Sequence, residues 1–110
     1  MAHALALLAT ASRREALLDW LDRQSLALAG FPLLASAELA AVLRSDLRTA
    51  QLPVRELAAL AEGGDIQVAA RVLAGEVGLV VAFLDPEAPP GTPPDGRLLI
   101  RACDLAAVPL

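Results

Sequence analysis

The best candidate for chemistry in this sequence is a carboxylate, Asp65, which follows two glycines in Gly63-Gly64-Asp65 and opens a helical pattern. A carboxylate presented by such a turn can accept a proton from a bound substrate. The same residue also suits a helix N-cap, because aspartate readily accepts from the free N–H groups of a first turn. Asp95 opens a second helical pattern and carries the same two readings, whereas Asp85, placed before Pro86, suits a turn. The lone cysteine, Cys103, and the lone histidine, His3, lie at opposite ends of the chain. They form neither a Cys-His pair nor a metal set, so no structural metal is expected. Cys103 is expected to pack against a sheet. His3 falls at the start of the first strand, away from the end where ligands bind.

Alternating strand and helix patterns must position these residues. Residues 4 to 9 form an apolar run of strand length, and Ser12-Arg13-Arg14-Glu15 then caps and opens a helix through Leu17, Leu18 and Leu21. Phe31 to Ala35 repeats the strand pattern, and Ser36 caps a helix over Ala37 to Leu43. Between Arg48 and Leu60, Pro53 interrupts the pattern, and a short strand or a helical turn fits equally. From Asp65, apolar positions at Ile66, Val68, Ala69, Val72 and Leu73 predict a helix that stops at Gly75. Val77 to Leu84 is the clearest strand. Asp85-Pro86 and a loop holding Pro89, Pro90, Pro93 and Pro94 follow it, then a helix from Asp95 through Leu98, Leu99 and Ala102.

This order predicts an α/β fold: a doubly wound, Rossmann-like parallel sheet of four to five strands with helices on both faces. Ligands bind such sheets beyond the carboxyl ends of the strands. Attention therefore falls on the turns around residues 10 to 14, 35 to 38 and 85 to 95, with Asp65 close to them.

Composition narrows the function classes. A chain of 110 residues suits one domain. Its hydrophobic fraction of 56% is rich in alanine, and Trp20, Phe31 and Phe83 are the only aromatics, so packing rests on aliphatic side chains. The longest apolar runs fall well short of the ~20 residues that span a bilayer, so no membrane partner is expected. The opening residues lack the cationic start of a signal peptide and read as a first buried strand in a cytoplasmic protein. All nine basic residues are arginine, the net charge is −4, and no basic cluster follows a phosphate backbone, which disfavours nucleic acid.

Gly63-Gly64-Asp65-Ile66-Gln67-Val68, the spacing to Phe83-Leu84-Asp85-Pro86, and Asp95 beyond it resemble the methylglyoxal synthase family. The resemblance runs from Ala4-Leu5-Ala6-Leu7-Leu8-Ala9 through Trp20 to Val108-Pro109-Leu110. It implies a doubly wound lyase that converts dihydroxyacetone phosphate to methylglyoxal and inorganic phosphate, usually as a homohexamer without metal or organic cofactor. Residues 1–110 would form one such domain, lacking the family's last strand and helix, which add a phosphate-binding arginine. Related domains of the same fold serve as regulatory modules, so the fold need not be catalytic.

The resemblance places the family's catalytic aspartate on Asp65 and its second acidic residue on Asp95. Gly63 and Gly64 match the turn that presents the first. Elsewhere the positions differ. A His-Asp pair and a following lysine after the first strand become Thr10, Ala11 and Arg14, and a fork-shaped guanidinium replaces a point charge. A Thr-Gly-Thr-Thr phosphate loop after the second strand becomes Ser36-Ala37-Glu38-Leu39. The histidine of the last loop becomes Thr92. Forming an ene-diolate needs a base, a polarised carbonyl and a phosphate cradle. Thr10, Arg14, Ser36, Gly63, Gly64 and Thr92 are therefore the expected substrate and phosphate contacts. Glu38 opposes a phosphate there, since two like charges about 4 Å apart cost roughly 4 kcal/mol at an effective dielectric of 20.

Two functions follow as expectations: a methylglyoxal synthase-like lyase with weakened or lost activity, or a non-catalytic domain that binds a small ligand or regulates a partner. The expected partners are a small phosphorylated metabolite or phosphate and further copies of the chain. Arg71, Arg97 and Arg101 are read as solvated helix-face residues.

Overall fold

The computed structural model describes residues 3–110. Four strands, β1 (Ala4–Ala9), β2 (Leu33–Ala35), β3 (Val54–Glu56) and β4 (Val77–Phe83), form one sheet in the order β3-β2-β1-β4 with every pairing parallel. Four helices connect or follow them: α1 (Arg14–Arg23), α2 (Ala37–Ser45), α3 (Gly64–Leu73) and α4 (Gly96–Ala106). The expected doubly wound architecture is present, with four strands.

Alternation along the strands divides the core in two. Leu5, Leu7 and Ala9 of β1 face Leu17, Leu18 and Leu21 of α1 and Leu39, Ala40 and Leu43 of α2. Ala6 and Leu8 face the opposite way, onto Val68, Ala69 and Val72 of α3 and Leu99, Ala102 and Cys103 of α4. A strand buried on both faces has no polar alternation, which is why β1 reads as one apolar run. Leu7, Leu17, Leu21 and Val72 are wholly inaccessible. Each contributes about 1.5–3 kcal/mol by leaving water. Trp20 of α1 packs on Phe83 of β4 with ring centroids 6.1 Å apart, tying the first helix to the last strand.

Several element boundaries differ from the sequence reading for local reasons. A 3₁₀ turn at Ala11–Arg13 precedes α1, so Ser12 does not cap that helix. The second strand is only Leu33–Ala35, because Pro32 cannot donate to a ladder and Phe31 is exposed. The ambiguous stretch holds both alternatives in sequence: β3 follows Pro53 at the edge of the sheet, and a 3₁₀ turn occupies Leu60–Glu62. Gly75 ends α3 as expected, with φ +80°, while its N–H donates to the Val72 carbonyl. After α4, Val80 N–H donates to the Pro109 carbonyl, so the last residues lie along the outer side of β4. Among the described residues no helix is long and apolar enough to cross a membrane.

Candidate functional site

A parallel sheet with helical crossovers places the N-termini of all four helices at the carboxyl ends of the strands. Those N-termini carry partial positive charge and free N–H groups. The chain supplies carboxylates there: Glu15 in α1, Glu38 in α2, Asp65 in α3 and Asp95 ahead of α4.

The Gly-Gly-Asp turn has a definite geometry. Gly63 is the residue before α3 and adopts φ +93°, a left-handed conformation that costs a side chain energy. Gly64 is buried against Ala58 and Ala59, and a Cβ there would collide with the Ala58 carbonyl oxygen. The two glycines together let the chain double back, leaving Asp65 as the second residue of the helix instead of its N-cap. That corrects the capping alternative for Asp65.

Asp65 is 6% exposed, and its carboxylate joins two helix starts. Oδ1 accepts from the Ile66 N–H at 3.0 Å and Oδ2 from the Asp95 N–H at 2.7 Å. Asp95 does act as a cap: its Oδ1 accepts from Arg97 N–H at 3.0 Å and Leu98 N–H at 3.3 Å. Asp65 thus fixes the backbone of the residue whose side chain starts α4.

These residues border a cleft of about 790 Å³ formed with the proline-rich loop, whose lining includes Asp65, Asp85, Thr92, Asp95 and Arg97. Thr92 Oγ1 donates to the Pro89 carbonyl at 2.6 Å and closes the loop upon itself. Arg97, read from sequence as a solvated face residue, is the only cation lining this cleft among the described residues. Its position two residues after a capping aspartate was the available signal.

Thr10 sits between β1 and β4, where the strand order reverses. Its buried hydroxyl accepts from the Asp85 N–H at 3.1 Å. The Asp85 carboxylate accepts from Ser12 Oγ at 2.8 Å and Glu87 N–H at 2.9 Å and faces Arg13 at 3.6 Å. The Glu87 N–H, the Ser12 hydroxyl and the Arg13 charge outweigh partial burial and hold the Asp85 carboxyl below its ordinary pKa. Asp85 is thus more than a turn former. It ties the first loop to the last.

Arg14, Ser36 and Glu38 belong to a neighbouring group, outside the lining of the cleft. Ser36 caps α2 as expected, accepting weakly from Leu39 N–H at 3.4 Å. Glu38 reaches across to the 3₁₀ turn, where both carboxylate oxygens accept from Leu60 N–H, at 3.0 and 3.1 Å. Burial raises the Glu38 pKa, but hydrogen bonds from its own N–H, Leu60 N–H and the Ser36 hydroxyl, with the Arg14 charge, leave it lowered. Arg14 is half-buried, and its Nε is inaccessible without a hydrogen-bond partner among the described residues.

The structure therefore brings Asp65, Asp95 and Thr92 to one cleft, while Gly63 and Gly64 form the turn that presents Asp65 and do not line it. Thr10 is linked to it through Asp85. His3 lies beside Gly78 at the opposite end of the sheet. Cys103 is buried in the core as expected. No group of three potential metal ligands occurs among the described residues.

No protein-family model matches the sequence. Individual relatives do. The methylglyoxal synthase of Thermus thermophilus is 34% identical over 107 residues, spanning 97% of this chain and 82% of that protein. The methylglyoxal synthase of Clostridium botulinum is 28% identical over 106 residues, spanning 96% and 87%. The crystal structure of methylglyoxal synthase from Elizabethkingia anophelis superposes with a TM-score of 0.85 over 98% of this chain and 69% of that one, at 24% identity, a likeness of fold. With 34% identity to a methylglyoxal synthase across 97% of its length, the chain belongs to the methylglyoxal synthase family.

Proposed function

We propose that this chain is a methylglyoxal synthase-like protein whose conversion of dihydroxyacetone phosphate to methylglyoxal and phosphate is weak or lost. The observation that carries this reading is the set of polar groups in the cleft. It contains three carboxylates, one guanidinium and one hydroxyl, and no imidazole. Proton abstraction next to a carbonyl needs a base and a donor that takes up charge on the carbonyl oxygen. Asp65 is the base this cleft offers, yet its oxygens already serve two backbone N–H groups. The second carboxylate, Asp95, is occupied as a helix cap. The Thr92 hydroxyl donates to its own loop, which leaves Arg97 as the sole charged donor.

A non-catalytic role in binding a small ligand fits the same observation. A preformed cleft of about 790 Å³ is large enough for a metabolite even when its carboxylates serve structural ends. The first chemical step tests the proposal. Dihydroxyacetone phosphate incubated with the protein in deuterated water should incorporate deuterium slowly, at a rate between that of an Asp65→Asn variant and well under about one event per second. Fast, Asp65-dependent incorporation would overturn the proposal.

A further inference from the structure

The amino ends of the strands border a second cleft, at the opposite end of the sheet from Asp65. It holds about 670 Å³ between the end of α3, the edge strand β3 and the residues that lead into β1 and β2. Two guanidiniums, Arg55 and Arg71, and the His3 imidazole line it, against one carboxylate, Glu76. In a chain with 9 basic and 13 acidic residues, that reverses the overall balance. Strand alternation puts Arg55 there. It is the register partner of Leu34, which belongs to the core on the α3 and α4 side, so Arg55 projects to that side. Val54 and Glu56 face the other way, where Glu56 pairs with Arg44 of α2 at 2.8 Å. Arg55 itself has no ion pair among the described residues. Arg71 comes no closer to Glu76 than 3.6 Å, with side chains 37% and 57% exposed, and such a pair is weak. The last carbonyls of α3 would oppose an anion if left free. Two of them are taken: Glu76 N–H donates to the Arg71 carbonyl and Gly75 N–H to that of Val72.

We propose that this cleft binds a small organic anion at a site separate from the Asp65 cleft: Arg55 and Arg71 hold its carboxylate or phosphate oxygens, and Pro32 and Leu34 border its carbon skeleton. A guanidinium presents a planar fork of donors that matches two oxygens of one anionic group. Arg55 offers that fork without giving up a partner. Arg71 exchanges the Glu76 carboxylate, which at its exposure turns to water. The volume falls within the range of metabolite pockets, and the apolar lining beside the arginines favours a ligand with a hydrocarbon part over a bare inorganic ion. Asp65, Thr92 and Arg97 take no part, so the site stands whether lyase turnover is present or lost.

Phthalate and phenyl phosphate share a ring and differ in the anionic group, which makes them a matched pair of probes. Each is titrated at constant ionic strength into the isotope-labelled chain and followed by amide and arginine side-chain chemical shifts, with benzyl alcohol as the uncharged control. Saturable shifts should appear at Arg55, Arg71, Gly75 and Glu76, with a Kd of about 10 mM or tighter for at least one probe. Arg55→Gln and Arg71→Gln should each weaken binding about fivefold or more, since each removes hydrogen bonds to a charged group at a partly screened position. Glu76→Gln should tighten it by releasing Arg71. Saturation by phthalate alone supports the site and makes its ligand a carboxylate; saturation by phenyl phosphate alone supports it and makes the ligand a phosphate. Shifts confined to Gly63, Asp65 and Thr92, or no saturable shift with either probe, would overturn the proposal. So would unchanged affinity in both arginine variants, or benzyl alcohol binding as well as the anions. The wild-type shift map decides the matter even if a variant folds poorly.

Discussion

Replacing Asp65 with alanine should weaken the fold by about 2 kcal/mol, whatever it does to activity. The carboxylate is 6% exposed and accepts from Asp95 N–H at 2.7 Å, a charge-assisted bond between helix starts 30 residues apart in sequence. Hydrogen bonds to charged groups contribute about 1.5–3 kcal/mol. The second bond, to Ile66 N–H at 3.0 Å, is local, and water beside the exposed Ile66 can replace much of it. The Asp95 bond therefore dominates. Asp65→Asn keeps one acceptor oxygen and loses the charge, so it should cost about half as much. In a domain of this size, 2 kcal/mol corresponds to a fall in Tm of roughly 8–10 °C. Urea unfolding followed by the fluorescence of Trp20, which packs on Phe83, would measure both variants. Asp95→Ala should cost about 1 kcal/mol through loss of the α4 cap, and should add nearly independently, because Asp65 binds the Asp95 backbone and not its side chain. An Asp65→Ala protein within 0.5 kcal/mol of wild type, a margin on the order of surface substitutions, would refute the claim that this carboxylate joins the two helices.

Gly64→Ala should destabilise by about 2 kcal/mol or more, because its Cβ meets the Ala58 backbone, whereas Gly63→Ala should cost about 1–2 kcal/mol through its positive φ; equal stability of Gly64→Ala and wild type in urea would contradict the packing. Asp46 is held at about 2, from an ordinary 3.8, chiefly by the Arg48 side-chain hydrogen bonds, then by Arg48 N–H and the Arg48 charge. A folded-state pKa below the unfolded value stabilises above about pH 4 and is lost as pH falls toward about 2, so the Tm advantage of wild type over Asp46→Asn should shrink across that window. Burial, with a smaller contribution from Asp104, pushes the Cys103 thiol up. It should react with a thiol reagent far more slowly in the folded chain than in urea, and equal rates would contradict its place in the core.

The sheet was legible where burial on both faces left an unbroken apolar signal, as in Ala4–Ala9. It was not legible at β3, where Arg55 and Glu56 are exposed and pairing with β2 alone makes a strand of three residues. Gly75 marked the end of α3 because its cap is local. The end of α4 was missed because Ala106 stays helical through packing against the α3 face of the sheet, which no terminator residue signals. For the site, residue types pointed to Asp65 and Asp95, but their roles depend on contacts distant in sequence. Asp65 looked like a cap for its own helix and instead holds the Asp95 backbone. Glu38 read as a free charge opposed to phosphate, yet its partner is Leu60 N–H, 22 residues further on. Periodicity reports which face a side chain occupies, and carries no information about which distant N–H its oxygen will meet.

On the proposed reading, the family fold is retained here with its lyase chemistry weak or lost. The decisive measurement is methylglyoxal and phosphate release from dihydroxyacetone phosphate by the purified protein, followed beside an Asp65→Asn control. A typical enzyme turns over at about 10 s⁻¹, and loss of a general acid–base group lowers that by about 10²–10⁴. Asp65-dependent release should stay below about 0.1 s⁻¹, down to none above the control. Release at several turnovers per second that vanishes in Asp65→Asn would contradict that reading, and would mean that Asp65, Thr92 and Arg97 suffice for the chemistry.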